Sequence, residues 1–398
     1  MAGRPGDIWL APHRPLFLAV GLWAISAIAW WQWGALLSLP VPSLGGGAGW
    51  HAHEMLIGFG GAAVAAYILT ALPGWTGRPA PSGAVLKALV ACWLLQRVAI
   101  ALAGWLPAAL TVLPGLAYFG ALAVIVALEL IRARAWHRLA FVLIFVALGG
   151  FDLLFVLGAS RPVFGLDQPV LTRALVMVFV IKISVIGGRM LPAFTANWLR
   201  QRGHAGRLPV VNRLAGWLGL AALVAAFGLT LAQAREASGV ALIAAGMCQL
   251  WRMASWRGRH VLANPLLVMM HTAFAWLGLG LIAVGLVRLV PGLAREADVV
   301  HVLTMGAMAG MILAVAARAA ARRDGGVLRA GPVLISAFVV ITAALGLRLA
   351  VILWPQDYLV LTGAAALVWI GGWGLFLAAF AAKLTGPVER PVFSGTKA

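Results

Sequence analysis

Apolar runs of about 20 residues follow one another along the whole sequence, and a helix of that length crosses a bilayer core of about 30 Å. Hydrophobic residues make up 63% of the 398 positions and charged residues only 10%, whereas a soluble domain has roughly 25% charged residues. No soluble domain or long linker interrupts the pattern. The sequence therefore predicts an all-α, polytopic membrane protein whose residues 1–398 form one transmembrane domain.

Charged residues, prolines and glycines divide these runs into twelve predicted transmembrane helices. The eighth is the least regular of them, because its apolar part is short and is flanked by Arg252. The predicted spans are 16–38, 50–73, 84–106, 108–131, 136–158, 170–191, 210–232, 238–255, 264–288, 298–320, 332–354 and 358–382.

The formal net charge of +19 would also suit a protein that binds nucleic acid, but the positions of the basic residues indicate a membrane protein. Nearly all Lys and Arg residues outside the apolar runs fall in the two terminal segments and in alternate loops. The positive-inside rule then places both termini in the cytoplasm, and basic loops favour anionic headgroups of a lipid bilayer. Nucleic acid is not predicted as a partner. The opposite loops hold only Arg161, Arg173, Arg235, Arg288 and Arg295.

The second predicted helix begins with His51, His53 and Glu54, three metal-competent side chains at the start of an apolar run. On a regular α-helix the two histidines point about 200° apart, so they are expected to have separate partners. His51 is expected to share a face with Glu54, whereas His53 faces the other way. Which of the two histidines is a ligand stays open.

The tenth predicted helix carries His301, Met305 and Met308 on one stripe. The charge pattern starts helices 2 and 10 on the outer side, so His301 is expected at the depth of His51 and His53, where the two helices could share a site. One imidazole and two thioethers suit copper(I) or an axial position of haem. Alternatively, the methionines fill gaps between helices.

A short repeat also links these two helices. Its three positions have the same spacing in both, which is a hint of internal similarity and no more. The positions are His51, Met55 and Gly60 in helix 2, and His301, Met305 and Gly310 in helix 10.

His271 lies one to two turns inside the ninth predicted helix, on the cytoplasmic side. At 1.5 Å of rise per residue, it is expected about 10 Å or more deeper than the outer histidines. It therefore serves a second site or bonds to a neighbouring helix.

Other ionisable side chains lie within the apolar runs, where they are expected to be buried and either paired or functional. Asp152 and Lys182 stand on consecutive helices and are the first candidates for an ion pair. Arg97, Lys182 and Arg189 would equally suit the carboxylates of a bound cofactor, because a guanidinium binds a carboxylate in two places. Glu54 and Asp152 would suit a proton path.

Residues 50–59, WHAHEMLIGF, resemble the WHAHEMLFGF signature of the NnrS family. The likeness continues at 69–78, LTALPGWTGR, where that family has LTAVPNWTGR. The sequence departs at 319–326, AAARRDGG, where the family has a GHTGR-like segment. The missing histidine argues against an essential role for that position in binding a cofactor. Further matches, in the same order as in the family, lie at 13–17, 187–195, 264–271 and 301–318.

The resemblance implies a multi-pass protein of the bacterial inner membrane that contains haem, expected as haem b, and copper, and that takes part in the defence against nitric oxide. We expect it to bind nitric oxide and reduce it to nitrous oxide, as a nitric oxide reductase-type oxidoreductase with electrons from quinol or another membrane donor. The alternative is a non-catalytic carrier, sensor or transporter of haem, copper or nitric oxide. The oligomeric state and the number of haems stay open.

Three groups of side chains are expected to carry this chemistry. The expected ligands of haem or copper are His51, His53, His271 and His301, with Met305 as a further metal ligand; the expected propionate contacts are Arg97, Lys182 and Arg189; and the expected proton donors are Glu54 and Asp152.

Overall fold

A computed structural model describes residues 7–39, 44–324 and 326–394, and most of this chain is helical. The described residues form twelve long helices in chain order. They are α1 His13–Trp33, α2 Gly46–Thr76, α3 Ala84–Ala101, α4 Ala108–Arg132, α5 Trp136–Leu157, α6 Gln168–Gln201, α7 Arg213–Leu231, α8 Arg235–Ala254, α9 Pro265–Leu289, α10 Glu296–Ala320, α11 Pro332–Ala350 and α12 Pro355–Ala381.

The all-helical prediction is confirmed, and each predicted span has a helix. Eleven of these helices are long and apolar enough to cross a membrane. The exception is α8, because polar side chains such as Gln249 and Arg252 interrupt its apolar sequence. The count of twelve membrane spans and the cytoplasmic position of both termini stay predictions. Residues 1–6 and 395–398 lie outside the described part of the chain.

One short β-hairpin was not predicted. Strand β1 (Arg322–Asp324) pairs antiparallel with β2 (Val327–Arg329), directly after α10. An ion pair between Arg329 Nε and Asp324, 3.0 Å long, links the two strands. Strand β1 lies in the segment 319–326, where the sequence departs from the NnrS pattern, and β2 follows directly after it.

The chain divides into two compact units. The first consists of Met1–Leu175 with Leu377–Phe393, and the second of Val176–Phe376 with Ser394–Ala398. Within the first unit, α2 packs against α1 and α4, and α4 packs against α3 and α5. Within the second, α8 packs against α7 and α9, and α10 packs against α9 and α11. Apart from α8, the long helices of both units are of the membrane-spanning type, and the single transmembrane domain over 1–398 stays a prediction.

Both α2 and α10 change from α-helical to π-helical hydrogen bonding soon after their first histidines. The π segment is Glu54–Gly60 in α2 and Val302–Ala309 in α10. The prediction of regular α-helices was wrong at these two places. A π segment is rare, often occurs at functional sites, and changes the direction in which the side chains around it point.

Asparagine caps define the starts of two helices that matter below. The side chain of Asn212 accepts a hydrogen bond from the backbone N–H of Ala215 at the start of α7. Asn264 caps α9 in the same way through Leu267, with Pro265 at the first helical position. An asparagine cap satisfies a backbone donor that has no partner within the helix, and proline suits the first turn.

Candidate functional site

The imidazole of His53 in α2 bridges two carboxylates. Its Nδ1 lies 2.8 Å from Oε1 of Glu54, and its Nε2 lies 2.7 Å from Oδ1 of Asp152 in α5. All three residues are buried, with 0% exposure. Ionisable groups are costly in such surroundings unless they are paired and hydrogen-bonded. The three side chains therefore stabilise one another inside the first unit.

Arg97 of α3 completes this arrangement by donating from Nη1 to Oε2 of Glu54 at 2.7 Å. Its guanidinium also lies 5.9 Å from the ring centre of Trp23 and 5.7 Å from that of Trp93. Aromatic faces attract a cation at such distances. We refer to His53, Glu54, Asp152 and Arg97 as the His53 cluster.

Gly58, one turn after Glu54 in α2, leaves room for this ion pair. A Cβ atom at Gly58 would lie 2.7 Å from Nε1 of Trp23 and 2.9 Å from Oε2 of Glu54, and closer still to Nη1 of Arg97. Any larger residue would push the ion pair apart. Gly58 therefore packs directly against the ion pair of Arg97 and Glu54.

The hydrogen bonds of the His53 cluster require a shared proton. An ionised carboxylate only accepts, so a ring that bonds to two carboxylates donates from both nitrogens and carries a positive charge. The positive charges of His53 and Arg97 then balance the two carboxylates of the cluster. If one carboxyl group holds the proton instead, the ring is neutral. In either distribution His53, Glu54 and Asp152 hold one exchangeable proton among them.

Gln96 and Tyr118 extend these polar surroundings, and the sequence analysis missed both. The buried atoms without a hydrogen-bond partner in the described chain include both amide atoms of Gln96, the Tyr118 hydroxyl and Oδ2 of Asp152. Asp152 Oδ2 and Gln96 Nε2 lie together against Cα of Gly115 in α4, one turn before Tyr118. Buried polar atoms in proteins usually bond to a protein group or to ordered water. Unpartnered polar atoms of α3 and α4 therefore lie on the side of Asp152 that faces Gly115.

Helical spacing placed Glu54 on the same face as His51 and named no partner for its carboxylate. In the structure the Glu54 carboxylate bonds to the neighbouring His53. The π segment begins at Glu54, so the spacing of a regular α-helix does not hold from this residue onward.

His51 has different surroundings from His53. Its ring is half-buried and stacks on Trp31, with ring centres 5.0 Å apart and an angle of 26° between the planes. In contrast, both nitrogens of His53 are bonded to carboxylates, so a metal could bind His53 only if one carboxylate moved away. The ligand roles of both histidines stay predictions.

His301, in the second unit, lies beside a second acid–arginine pair. Its Nδ1 is 3.3 Å from the backbone carbonyl oxygen of Asp298, and the Asp298 carboxylate lies 2.9 Å from Nη2 of Arg348 in α11. A metal-binding histidine commonly donates from its other nitrogen to such a carbonyl. Met305, one turn later, is half-buried within the π segment, so the predicted stripe with His301 is not a regular one. The shared site of His301 with the first-unit histidines stays a prediction.

His271 of α9 bonds to a neighbouring helix, which was one of its two predicted roles. Its Nε2 lies 3.0 Å from the hydroxyl of Thr195 in α6, and both residues are buried. The edge of its ring faces Trp256, with ring centres 6.3 Å apart. Its Nδ1 is buried without a hydrogen-bond partner in the described chain. That nitrogen is the one through which His271 would bind a metal.

The partners of the remaining charged residues differ from those predicted. The sequence analysis predicted an ion pair between Asp152 and Lys182, but Asp152 is bonded to His53. The amine of Lys182 lies 5.9 Å from the ring centre of Phe179, one turn earlier in α6. Arg189 was expected to be buried but is exposed. Sequence position predicts where along a helix each of these side chains lies, but not the direction in which it points.

The described residues contain no group of three or more His, Cys, Asp or Glu side chains that could hold a metal ion. A haem iron needs only one or two axial side chains, so single histidines such as His271 and His301 fit an axial role. Nε and Nη2 of Arg97 are buried and have no hydrogen-bond partner among the described residues, which suits a contact with a propionate. Copper held by several of these side chains stays a prediction, as does the role of Met305.

A comparison with family models gives one match that covers nearly the whole chain. The model described as "NnrS protein" matches residues 7–387. No curated protein and no solved structure shows a significant match to the chain.

Proposed function

The chain belongs to the NnrS family, and on that premise we propose that this membrane protein binds haem and reduces nitric oxide to nitrous oxide, with protons supplied by the His53 cluster. The family is linked to the nitric oxide response. The many apolar helices indicate a multi-pass membrane protein, and the proposed location is the bacterial inner membrane.

The observation that carries the proposal is the buried relay of Glu54, His53 and Asp152. Reduction of two nitric oxide molecules to one nitrous oxide and one water consumes two electrons and two protons. Within apolar helices, a proton needs groups that hold it and pass it on. The three side chains share one proton, and their distances of 2.7 and 2.8 Å allow it to move along the hydrogen bonds.

The candidate haem ligands are His51, His271 and His301, each in separate surroundings. When bound, haem would supply an iron that takes up nitric oxide and transfers electrons to it. His301 would coordinate through Nε2 and His271 through Nδ1, because the other nitrogen of each ring is already hydrogen-bonded. Copper, if the protein contains it, would take one or more of the same histidines with Met305.

Arginine side chains are proposed to hold the haem propionates. Arg97 has Nε and Nη2 available for this role while its Nη1 holds Glu54. Lys182 and Arg189 of α6 are the candidates in the second unit. Electrons are proposed to come from quinol or another donor in the membrane, because the chain consists almost entirely of helices of the membrane-spanning type.

The test begins with the protein purified in detergent. Visible spectra with and without dithionite and nitric oxide, together with iron and copper analysis, report whether haem is present and whether it binds nitric oxide. Absence of a Soret band after expression with adequate haem supply would contradict the haem proposal.

Single histidine variants then separate ligands from other residues. We expect alanine at His51, His271 or His301 to change the spectrum wherever the ring is a ligand, and His53→Ala to change turnover. The exposed His260 supplies the matched control, because His260→Ala should leave both unchanged. If no histidine variant alters the spectrum, the ligand assignment is wrong.

Turnover distinguishes the two classes of function. Steady consumption of nitric oxide with a quinol analogue, and formation of nitrous oxide, support a reductase. Uptake of nitric oxide that stops at a fixed ratio to protein supports a carrier or sensor instead.

A further inference from the structure

Arg252, near the end of α8, is a buried cation that forms no ion pair with the described residues. Only 7% of its surface is exposed. Its Nη1 donates to the backbone oxygen of Ser184 at 3.2 Å, to the Ser184 hydroxyl at 3.1 Å and to Oε1 of Gln249 at 2.8 Å. All three acceptors are neutral. The guanidinium is therefore held between α6 and α8 without a compensating negative charge.

The groups around Arg252 add hydrogen-bond donors and positive charge. Nε2 of Gln249 is buried and has no hydrogen-bond partner in the described chain, and Gln249 is 0% exposed. Nη2 of Arg252 lies against Cα of Gly188 in α6. Arg189, the residue that follows Gly188 in α6, is exposed. Two cations and an amide donor thus come together where α6 meets α8.

Such a set of donors favours an anion over a metal cation. A charge buried in low-dielectric surroundings is costly unless an opposite charge is near, and a second cation raises this cost. A planar guanidinium binds two oxygens of a carboxylate or phosphate at once. Gly216 and Gly219 of α7 face Arg252 and Gln249, so α7 forms the third wall of the site.

The outer surfaces of α7 and α8 next to this site are apolar. Trp217 is 68% exposed, Leu214 61% and Trp251 48%. Exposed tryptophans of this kind are typical of the interface between acyl chains and headgroups. Basic pockets between transmembrane helices commonly bind the headgroups of anionic lipids.

We propose that α6, α7 and α8 form a site for a phosphate oxyanion, carried by an anionic phospholipid or present as free phosphate, which Arg252, Arg189 and Gln249 bind. The site shares Arg189 with the propionate contacts proposed above and to that extent rests on the proposed function, whereas Arg252 and Gln249 have no role in the proposed nitric oxide chemistry. Arg252 provides the buried charge, Gln249 an amide donor and Arg189 a second charge from the exposed side.

The experiment measures thermal unfolding and lipid retention of the full chain. The protein is placed in nanodiscs of phosphatidylglycerol or of phosphatidylcholine, and native mass spectrometry counts the lipids that remain bound. A parallel series in phosphatidylcholine adds inorganic phosphate, with chloride at equal ionic strength as reference. The variants are Arg252→Gln, Arg252→Lys and Arg189→Gln. Arg200→Gln is the matched control, since Arg200 is an exposed arginine of the same helix as Arg189.

We expect the wild-type protein to retain phosphatidylglycerol and to unfold at a higher temperature in it. Retention should fall about tenfold in Arg252→Gln and Arg189→Gln, which is the scale of one lost charge-assisted hydrogen bond. Arg252→Lys should retain part of the effect, and Arg200→Gln all of it. Stabilisation by inorganic phosphate alone, with the same dependence on the variants, would identify the free anion as the ligand.

The proposal would be overturned if phosphatidylglycerol or phosphate raised the unfolding temperature of the wild type and of Arg189→Gln equally. It would also be overturned if neither anion raised the unfolding temperature of the wild type. Because Arg189 is exposed, its variant should fold even if Arg252→Gln does not.

Discussion

Oδ1 of Asp152 lies 2.7 Å from Nε2 of His53, and neither residue is exposed. This hydrogen bond joins α5 to α2 across ninety-nine positions of the sequence. Glu54 bonds to the other nitrogen of the ring, so the proposed transfer of a proton between the two carboxylates through His53 requires both hydrogen bonds. The bond between Asp152 and His53 is therefore the most direct place to test the relay.

We expect Asp152→Asn to slow nitric oxide reduction by about 10²- to 10⁴-fold, the usual contribution of a positioned acid or base. The amide keeps the shape and one hydrogen bond but does not accept a proton. Binding of nitric oxide should stay unchanged. The measurement is nitric oxide consumption at an electrode, with a spectrophotometric titration of binding.

Asp357→Asn is the control for this variant, because Asp357 is exposed. Full turnover in Asp152→Asn would contradict the relay, whereas a loss of binding together with turnover would indicate a structural role.

Gly58→Ala is expected to destabilise the protein by about 1–3 kcal/mol, the usual cost of inserting an atom into a packed interior. The added Cβ would press on Arg97, Trp23 and Glu54. Thermal unfolding in detergent measures the effect. Gly74→Ala lies in the same helix, where a Cβ meets no atom within 4 Å, and should stabilise by about 0.5–1 kcal/mol. Equal stability of the two variants would show that Gly58 has no packing role.

The sequence predicted the helices and the main titratable groups of the site with useful accuracy. Ionisable residues are rare in membrane-length apolar runs, so His53, Glu54, Asp152 and Arg97 stood out without any structure. The sequence did not show how these side chains pair with one another. Sequence position gives the depth of a residue along a helix, but the rotation of each helix about its axis depends on packing. For this reason Asp152 was expected to pair with Lys182.

The π segments are the second feature that spacing could not predict. They depend on backbone hydrogen bonds that shift by one residue, which no residue type signals by itself. The π segments support the three-position similarity between α2 and α10. In each helix the π segment follows soon after the histidine of the repeat, His51 or His301. Each unit also pairs an acid of this helix with an arginine of the next, Glu54 with Arg97 and Asp298 with Arg348.

Thr195→Val tests the bond that holds His271. The substitution removes the hydroxyl that lies 3.0 Å from Nε2 and leaves a buried ring nitrogen without a partner, which costs about 1–3 kcal/mol. Thermal unfolding should show this loss, and Thr195→Ser should restore the stability. If His271 is an iron ligand, the Soret band should shift as well. An unchanged melting temperature in Thr195→Val would show that the hydrogen bond is not formed.

Gly115→Ala tests whether the positions of Gln96 and Asp152 matter for the proposed proton transfer. Among the described atoms, an added Cβ at Gly115 would collide with Oδ2 of Asp152 and Nε2 of Gln96, and both side chains would have to move away from α4. We expect slower nitric oxide reduction with an unchanged visible spectrum, because the change lies in the relay and not at a haem ligand.

The matched control for this prediction is Gly120→Ala, in the same helix and with no atom within 4 Å of the added Cβ. It should keep full turnover. Turnover rates at several pH values distinguish the two effects of Gly115→Ala: a changed pH profile indicates that the proton path has been altered, whereas a uniform loss of active protein indicates misfolding. If Gly115→Ala and Gly120→Ala have the same turnover, the polar side chains beside Gly115 do not contribute to proton transfer to His53.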